Sequence, residues 1–117
     1  MALKRIQVGD RNSKVVIHGD TVYLSGQVAH EAPGERVAAQ TRAILSRIDT
    51  LLSEAGTDKS KLISATIWLS DISTFDEMNK VWDAWVSPGE TPARACVESK
   101  LGAPQFTVEI GVIAALD

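Results

Sequence analysis

The chain has 117 residues, of which 44% are hydrophobic and 23% charged, and a formal net charge of −3 at pH 7. A chain of this length is typical of one domain, and this composition is ordinary for a folded globular protein. We therefore predict a single domain over residues 1–117. No block of lysine and arginine occurs, which argues against nucleic acid as a ligand.

The sequence lacks the residues and segments that several common structural features need. Cys96 is the only cysteine, so no internal disulfide can form, which fits a reducing compartment. No apolar run approaches the roughly 18 residues of a membrane span, and no signal-peptide core follows Met1. We expect a cytoplasmic protein.

His18 and His30 have no helical pairing, and no zinc, dinucleotide or phosphate-loop motif occurs, so neither a metal nor a cofactor is indicated.

The first part of the chain predicts β-structure. Short runs of β-branched and apolar residues at 5–8, 14–17 and 21–25 indicate three strands. Gly19 lies between the second and third runs and is typical of a hairpin turn. Residues 26–34 are predicted to form a loop.

Two amphipathic helices are predicted. Residues 35–55 carry apolar side chains at helical spacing, and Gly56 suits the left-handed residue just past a helix end. Thr74 and Glu77 resemble a capping box at the start of the second helix. The apolar stripes are Val37, Thr41, Ile44, Leu45, Ile48, Leu51 and Leu52 on the first helix, and Phe75, Met78, Val81, Trp82 and Trp85 on the second.

The remaining segments indicate three more strands, at residues 62–69, around Arg94, and at 106–115. The predicted order is therefore β-β-β-α-β-α-β-β. Because two helices cannot cover both faces of such a sheet, we predict an α+β sandwich of two layers with both helices on one face.

Arg94 is the candidate anchor for an anion. Side chains alternate along a strand, so Arg94 and Cys96 share a face. An arginine is always charged, and its planar fork of donors suits a carboxylate or a phosphate. A fixed cation beside a small thiol predicts an anion-binding pocket. The alternative is a surface arginine on a half-exposed sheet.

The sheet face opposite the helices is predicted to carry Trp68, Arg94, Cys96 and Glu109 together with small residues such as Gly111. This face is too apolar for bulk water, so we expect other copies of the chain to cover it. A carboxylate such as Glu109 near a cation can orient a water and take its proton while the cation holds an anionic substrate. The alternative is a structural Arg94–Glu109 ion pair.

Four segments carry a recognisable pattern: residues 22–27 (VYLSGQ), Asn79 in Met-Asn-Lys-Val-Trp, residues 92–97 (PARACV) and residues 108–110 (VEI). In this order they resemble the RidA/YjgF family of reactive-intermediate deaminases, over nearly the whole chain. The YoaB-like branch is the most similar, through Asp49 and residues 65–67, 78–80 and 82–86.

The resemblance implies a chorismate-mutase-like subunit, three of which assemble around a central barrel with clefts between neighbours. By the same resemblance, Arg94 binds the substrate carboxylate and Glu109 positions the hydrolytic water. The other residues implied to line the cleft are Ser25, Gly26, Asn79 and Cys96. The implied activity is hydrolysis of reactive enamines and imines, of the 2-aminoacrylate/2-iminopropionate type, to 2-oxo acids and ammonia without a cofactor.

The chain departs from the family pattern in two places, and alternative functions and alternative catalytic residues remain open. Residues 11–13 (RNS) lack the tyrosine that closes the family pocket, and Gly111 stands where RidA has a second glutamate. The chain could instead be a non-catalytic binder of small carboxylates, or an RNA-cleaving or translation-inhibiting protein. Within an enzyme, Cys96 or Ser25 could be a nucleophile, although no histidine has an evident partner position.

Overall fold

A computed structural model describes residues 2–117. Within these residues the chain forms seven strands and two helices in the predicted order, with one short strand added. The elements are β1 (Leu3–Val8), β2 (Ser13–His18), β3 (Thr21–Leu24), β4 (Gln27–Val28), α1 (Val37–Ala55), β5 (Leu62–Leu69), α2 (Phe75–Trp85), β6 (Ala93–Glu98) and β7 (Val108–Ala115), with 3₁₀ turns at Lys59–Lys61 and Ile72–Thr74.

The strands form one mixed sheet in the order β1-β2-β3-β7-β5-β6, and β4 pairs with β7 beyond the end of β3. Only β5 and β6 run parallel; the other pairs are antiparallel. The prediction of an uninterrupted loop over residues 26–34 is therefore wrong at its start. There Gln27 pairs with Ile110 and Val28 with Glu109, which continues the sheet next to the beginning of β7.

Both helices cover the same face of the sheet, and the predicted α+β sandwich of two layers is confirmed. One continuous core lies between the layers. Its central members are Ile44, Leu45, Ile48, Leu51 and Leu52 of α1, Met78 and Trp82 of α2, and Ile67, Leu69, Val108, Ile110 and Val112 of the sheet. Neither helix of residues 2–117 combines the length and apolar character that a bilayer-spanning helix needs.

The N-terminus of α1 is stabilised by a side chain from α2. The Glu77 carboxylate accepts hydrogen bonds from the Ala38 backbone N–H at 3.3 Å and from Arg36 at 2.9 Å. A negative charge is favourable at this end of a helix. The predicted capping box is therefore wrong, and the Thr74 hydroxyl instead donates to the Asp71 carbonyl. The predicted end of α1 is confirmed, because Gly56 adopts φ = 91°.

Gln40 is a fully buried polar side chain that fixes the approach to β7. Its amide nitrogen donates to the carbonyls of Glu35 (3.1 Å) and Gln105 (2.8 Å). Its amide oxygen accepts from the backbone N–H and the hydroxyl of Thr107, at 2.8 and 2.9 Å. Because Thr107 immediately precedes β7, these bonds help to set the position of the strand that carries Glu109.

Candidate functional site

Arg94 and Cys96 project from β6 toward the helix layer. In the parallel ladder, Arg94 pairs with Ala65 and Cys96 with Ile67. Both partners on β5 are buried in the core between sheet and helices. Side chains of paired residues lie on the same side of a sheet, so Arg94 and Cys96 lie on the helix-covered side. The prediction that they lie on the open face is wrong.

The Arg94 guanidinium is held by the first turns of α2. One of its nitrogens, Nη1, donates to Asn79 Oδ1 at 2.8 Å. Its Cζ lies 5.4 Å from the centroid of the Trp82 ring and 5.8 Å from that of Phe75, within the range of cation–π attraction. Arg94 is partly buried and takes part in no salt bridge among residues 2–117. The result is an oriented cation with donors left for an anion.

Two aromatic residues at this position were predicted only as members of the α2 core stripe. Trp82 is buried, as expected, but Phe75 is exposed enough to form a wall beside Arg94. The parallel β5-α2-β6 connection is the signal that could have revealed this arrangement, because it places α2 against the strand that follows it.

Cys96 is a partly buried thiol that packs against the hydrophobic core. Burial raises its pKa, and the nearby positive charge of Arg94 opposes this effect only in part. A raised pKa keeps the sulfur protonated at neutral pH, whereas the thiolate is the nucleophilic form. Cys96 is therefore suited to lining a pocket and poorly suited to nucleophilic attack.

Glu109 projects from the other face of the sheet, as predicted. Its β7 neighbours Val108 and Ile110 are buried in the core, so alternation directs Glu109 away from it. Trp68 of β5 is its direct cross-strand partner. A Cβ placed on Gly26 would overlap the Glu109 Oε2 atom. Residue 26 therefore has to be glycine for this close approach.

Trp68 also covers Gly111, the position at which the sequence departs from RidA. A Cβ on Gly111 would lie 3.6 Å from the Trp68 ring, in ordinary van der Waals contact. A longer side chain pointing the same way would meet the indole. The tryptophan thus occupies space that a second glutamate would need.

The Ser25 loop is fixed by hydrogen bonds to its neighbours. The Ser25 N–H donates to the Lys14 carbonyl at 3.0 Å. The amide nitrogen of Gln27, a residue only 1% exposed, donates to the carbonyl and hydroxyl oxygens of Ser25, at 2.9 and 3.1 Å. Among residues 2–117, no histidine bonds to the Ser25 hydroxyl, so it lacks the adjacent base that activates a nucleophilic serine.

The candidate residues thus fall into two half-sites. Arg94, Asn79 and Cys96 form the first, on the helix-covered side of β6. Glu109 and Gly26 form the second, on the open face, next to Ser25 in the chain. The two half-sites of one protomer lie on opposite faces of the sheet, and strand β5 lies between β6 and β7. They therefore cannot hold the same small molecule. Among residues 2–117, no group of three or more His, Cys, Asp or Glu side chains is placed to bind a metal ion.

Comparison with known proteins places the chain in a family. The profile described as "Endoribonuclease L-PSP" matches residues 3–116. The chain belongs to this family, which is also called YjgF/RidA or RutC. The RutC family protein YoaB of Escherichia coli is 40% identical over 116 residues, covering 99% of this chain and 100% of that protein. A RutC family protein of Haemophilus ducreyi is 38% identical over 115 residues, with coverage of 98% and 97%.

Solved structures of the YjgF family share the fold. A member from Neisseria meningitidis is 42% identical and superimposes with a TM-score of 0.96, covering 100% of this chain and 97% of that one. A member from Mycobacterium tuberculosis, 28% identical, gives a TM-score of 0.87 with coverage of 97% and 99%. The chorismate-mutase-like α+β subunit and the predicted family membership are therefore confirmed.

Proposed function

We propose that this YjgF/RidA protein is a hydrolytic deaminase of reactive enamine and imine intermediates. Its substrates are of the 2-aminoacrylate/2-iminopropionate type, and its products are 2-oxo acids and ammonia. The observation that carries the proposal is the environment of the Arg94 guanidinium. This cation is oriented by Asn79 and by aromatic rings, yet it has no carboxylate partner among residues 2–117.

In this proposal Arg94 binds the substrate carboxylate. Its Nη1 is already fixed by Asn79, and the remaining N–H donors can form a charge-assisted pair with both oxygens of a carboxylate. A partly buried position strengthens such a pair compared with the same contact in water. Phe75 limits the free space next to the guanidinium, which favours short substrates.

The catalytic cleft forms between protomers of a homotrimer, with Arg94 from one protomer and Glu109 from its neighbour. Two features support this arrangement. The half-sites lie on opposite sides of the sheet, so a complete site needs a second copy. The open face also carries exposed large apolar residues, including Tyr23 (44% exposed) and Val97 (46% exposed), which favours burial against another copy.

Hydrolysis then proceeds in two steps. A water bound by the Glu109 carboxylate adds to the imine carbon while Glu109 takes one of its protons, and solvent supplies the proton that the imine nitrogen gains, which gives a tetrahedral amino alcohol. Glu109 then returns its proton to the nitrogen, the carbon–nitrogen bond breaks as the hydroxyl group loses its proton to solvent, and ammonia leaves the 2-oxo acid. An enamine first takes up a proton on carbon to become the imine. General acid–base catalysis of this kind typically contributes about 10²–10⁴ in rate.

Two other functions are distinguishable from this one. RNA cleavage is the activity in the matched family's description, but the chain is acidic overall and its half-sites contain one arginine rather than a basic stripe. A non-catalytic carboxylate sensor would need Arg94 but not Glu109. Loss of turnover with retained ligand affinity in Glu109→Gln would therefore support catalysis over sensing.

The direct test generates imines in situ. An amino-acid oxidase produces 2-imino acids from several amino acids, and their decay is followed with and without the protein. We expect faster decay with wild-type protein and the uncatalysed rate with Arg94→Ala. No acceleration with any imino acid would refute the proposal. Light scattering tests the assembly separately, and we expect three times the mass of one chain.

A further inference from the structure

A groove on the helix layer has no role in the proposed deamination. It lies between α1, α2 and the 3₁₀ turn Lys59–Lys61, and its volume is about 430 Å³. Its apolar lining comes from Leu45, Val81 and Trp85. This volume is at the lower end of the range for small-molecule pockets, which are mostly apolar with a few polar groups. The groove can thus accommodate the body of a small organic molecule.

The charged groups of the groove are mostly positive. Arg42, Lys59 and Lys80 line it, and Asp49 is the only acidic residue among the lining side chains. None of the three cations takes part in a salt bridge among residues 2–117. The lining side chains therefore carry a formal charge of +2, from three cations and one anion, on a chain whose net charge is −3. This local excess favours an anionic ligand.

The indole of Trp85 is held in place at this groove. Its Nε1–H donates to Asp49 Oδ2 at 3.0 Å, so the one carboxylate in the lining already has a partner. Its centroid lies 5.3 Å from that of Trp82. Lys59 Nζ lies 5.3 Å from the Trp85 centroid. A rigid aromatic wall with an ammonium beside it can contact a flat apolar body and an attached acidic group together.

We propose that this groove binds a small organic anion with a planar apolar body. The acidic group contacts Lys59 and Lys80, and the body packs against Trp85, Leu45 and Val81. Asp49, Lys80 and Trp85 fall in the segments through which the sequence resembles the YoaB-like branch, although the proposed deamination uses none of them. The site is separate from Arg94, which is not among the residues that line the groove and whose Cζ lies 5.4 Å from the centroid of the Trp82 ring.

The test uses 2-naphthoate as the probe and NMR of ¹⁵N-labelled protein as the readout. We expect saturable shifts of the Trp85 indole N–H signal and of the Lys59–Lys61 backbone amides. Trp68 lies on the opposite face of the sheet, so its indole signal is an internal control that stays in place. The neutral analogue 2-naphthylmethanol has the same ring system without the charge, and we expect it to bind more weakly.

Matched variants distinguish a defined site from general attraction. The double variant Lys59→Gln/Lys80→Gln should weaken 2-naphthoate binding roughly three- to tenfold, the effect expected for two exposed charge contacts. Lys61→Gln, a change of the same charge in the same turn but outside the groove, should leave the affinity unchanged. Arg94→Ala should keep the Trp85 shift, which separates this site from the proposed active site. Equal affinities for acid and alcohol, unchanged affinity in the double variant, or no saturable Trp85 shift would each overturn the proposal.

Discussion

The Arg94 guanidinium and the Glu109 carboxylate leave the same sheet on opposite sides. Arg94 contacts Asn79 and Trp82 of α2, whereas Glu109 contacts the Gly26 region on the face that no helix covers. In our account, each protomer therefore contributes its Arg94 half-site to one cleft and its Glu109 half-site to another. An active site built in this way depends on assembly as well as on the fold of the subunit.

Replacing Arg94 should abolish most imine hydrolysis. Removing one partner of a desolvated charge pair typically costs 2–5 kcal/mol, so we expect kcat/KM of Arg94→Ala to fall on the order of 10²–10³-fold. Arg94→Lys keeps the charge but loses the planar fork of donors, so we expect its kcat/KM to lie between those of wild type and Arg94→Ala. Arg5→Ala, which removes an exposed arginine of β1, is the control and should behave as wild type. Near wild-type turnover in Arg94→Ala would refute the role of this residue.

Gly26→Ala should impair catalysis without unfolding the protein. The added methyl group overlaps Glu109 Oε2, so the flexible carboxylate has to move away. Misplacing a catalytic group by about 1 Å can cost on the order of 10²-fold in rate, and we expect a loss of kcat/KM of that order. Gly102→Ala is a matched control, because its new Cβ meets nothing within 4 Å. Equal activities of the two variants would show that the Gly26–Glu109 contact is unimportant.

Cys96 should make folding less favourable at alkaline pH. Burial raises its pKa in the folded state, so the unfolded chain loses the thiol proton first, from about pH 8.5. The contribution of Cys96 to stability is then present below that pH and declines as pH rises toward the folded-state pKa. We expect the free energy of unfolding to fall less between about pH 7.5 and about pH 10 in Cys96→Ser than in wild type. Identical pH profiles in urea unfolding would contradict this expectation.

Cys96→Ser should also keep most of the deaminase activity, because a protonated thiol is a poor nucleophile. Complete loss of turnover with unchanged substrate affinity would instead favour covalent catalysis.

Gln40→Leu should destabilise the fold. The leucine leaves the N–H and the hydroxyl of Thr107 without the acceptor that both share. Unpaired polar groups in partly buried positions typically cost 1–3 kcal/mol each, so we expect a loss of about 2–4 kcal/mol in urea unfolding at one fixed protein concentration. The control Gln105→Leu makes the same exchange at an exposed side chain and should change stability little. Equal losses in both variants would contradict the role of Gln40.

Much of the fold follows from periodicity in the sequence. The stripes of α1 and α2 and the alternation in β7 are regular, so the helix-covered face and the orientation of Glu109 could be predicted. Strand β4 could not, because the two residues Gln27 and Val28 are too few to show alternation. Its pairing depends on the distant residues Ile110 and Glu109.

The side on which Arg94 lies also could not be predicted from alternation. The pattern correctly groups Arg94 with Cys96, but β6 is an edge strand in which neither set of residues is strongly apolar. The parallel register with Ala65 and Ile67 decides the side, and that register is a tertiary property. Phe75 and Trp82 are a similar case. Periodicity places them on one face of a helix, but it does not show that the Arg94 guanidinium lies next to them.

Subunit complementation tests the shared cleft most directly. Arg94→Ala and Glu109→Gln chains, each inactive alone, are co-expressed with different tags, and the mixed trimers are confirmed by native mass spectrometry. With random mixing, three-quarters of the trimers contain both variants, and each of these has one intact cleft out of three. We therefore predict recovery of about one quarter of wild-type imine hydrolysis. Activity in confirmed mixed trimers no higher than that of the two parents would contradict the account.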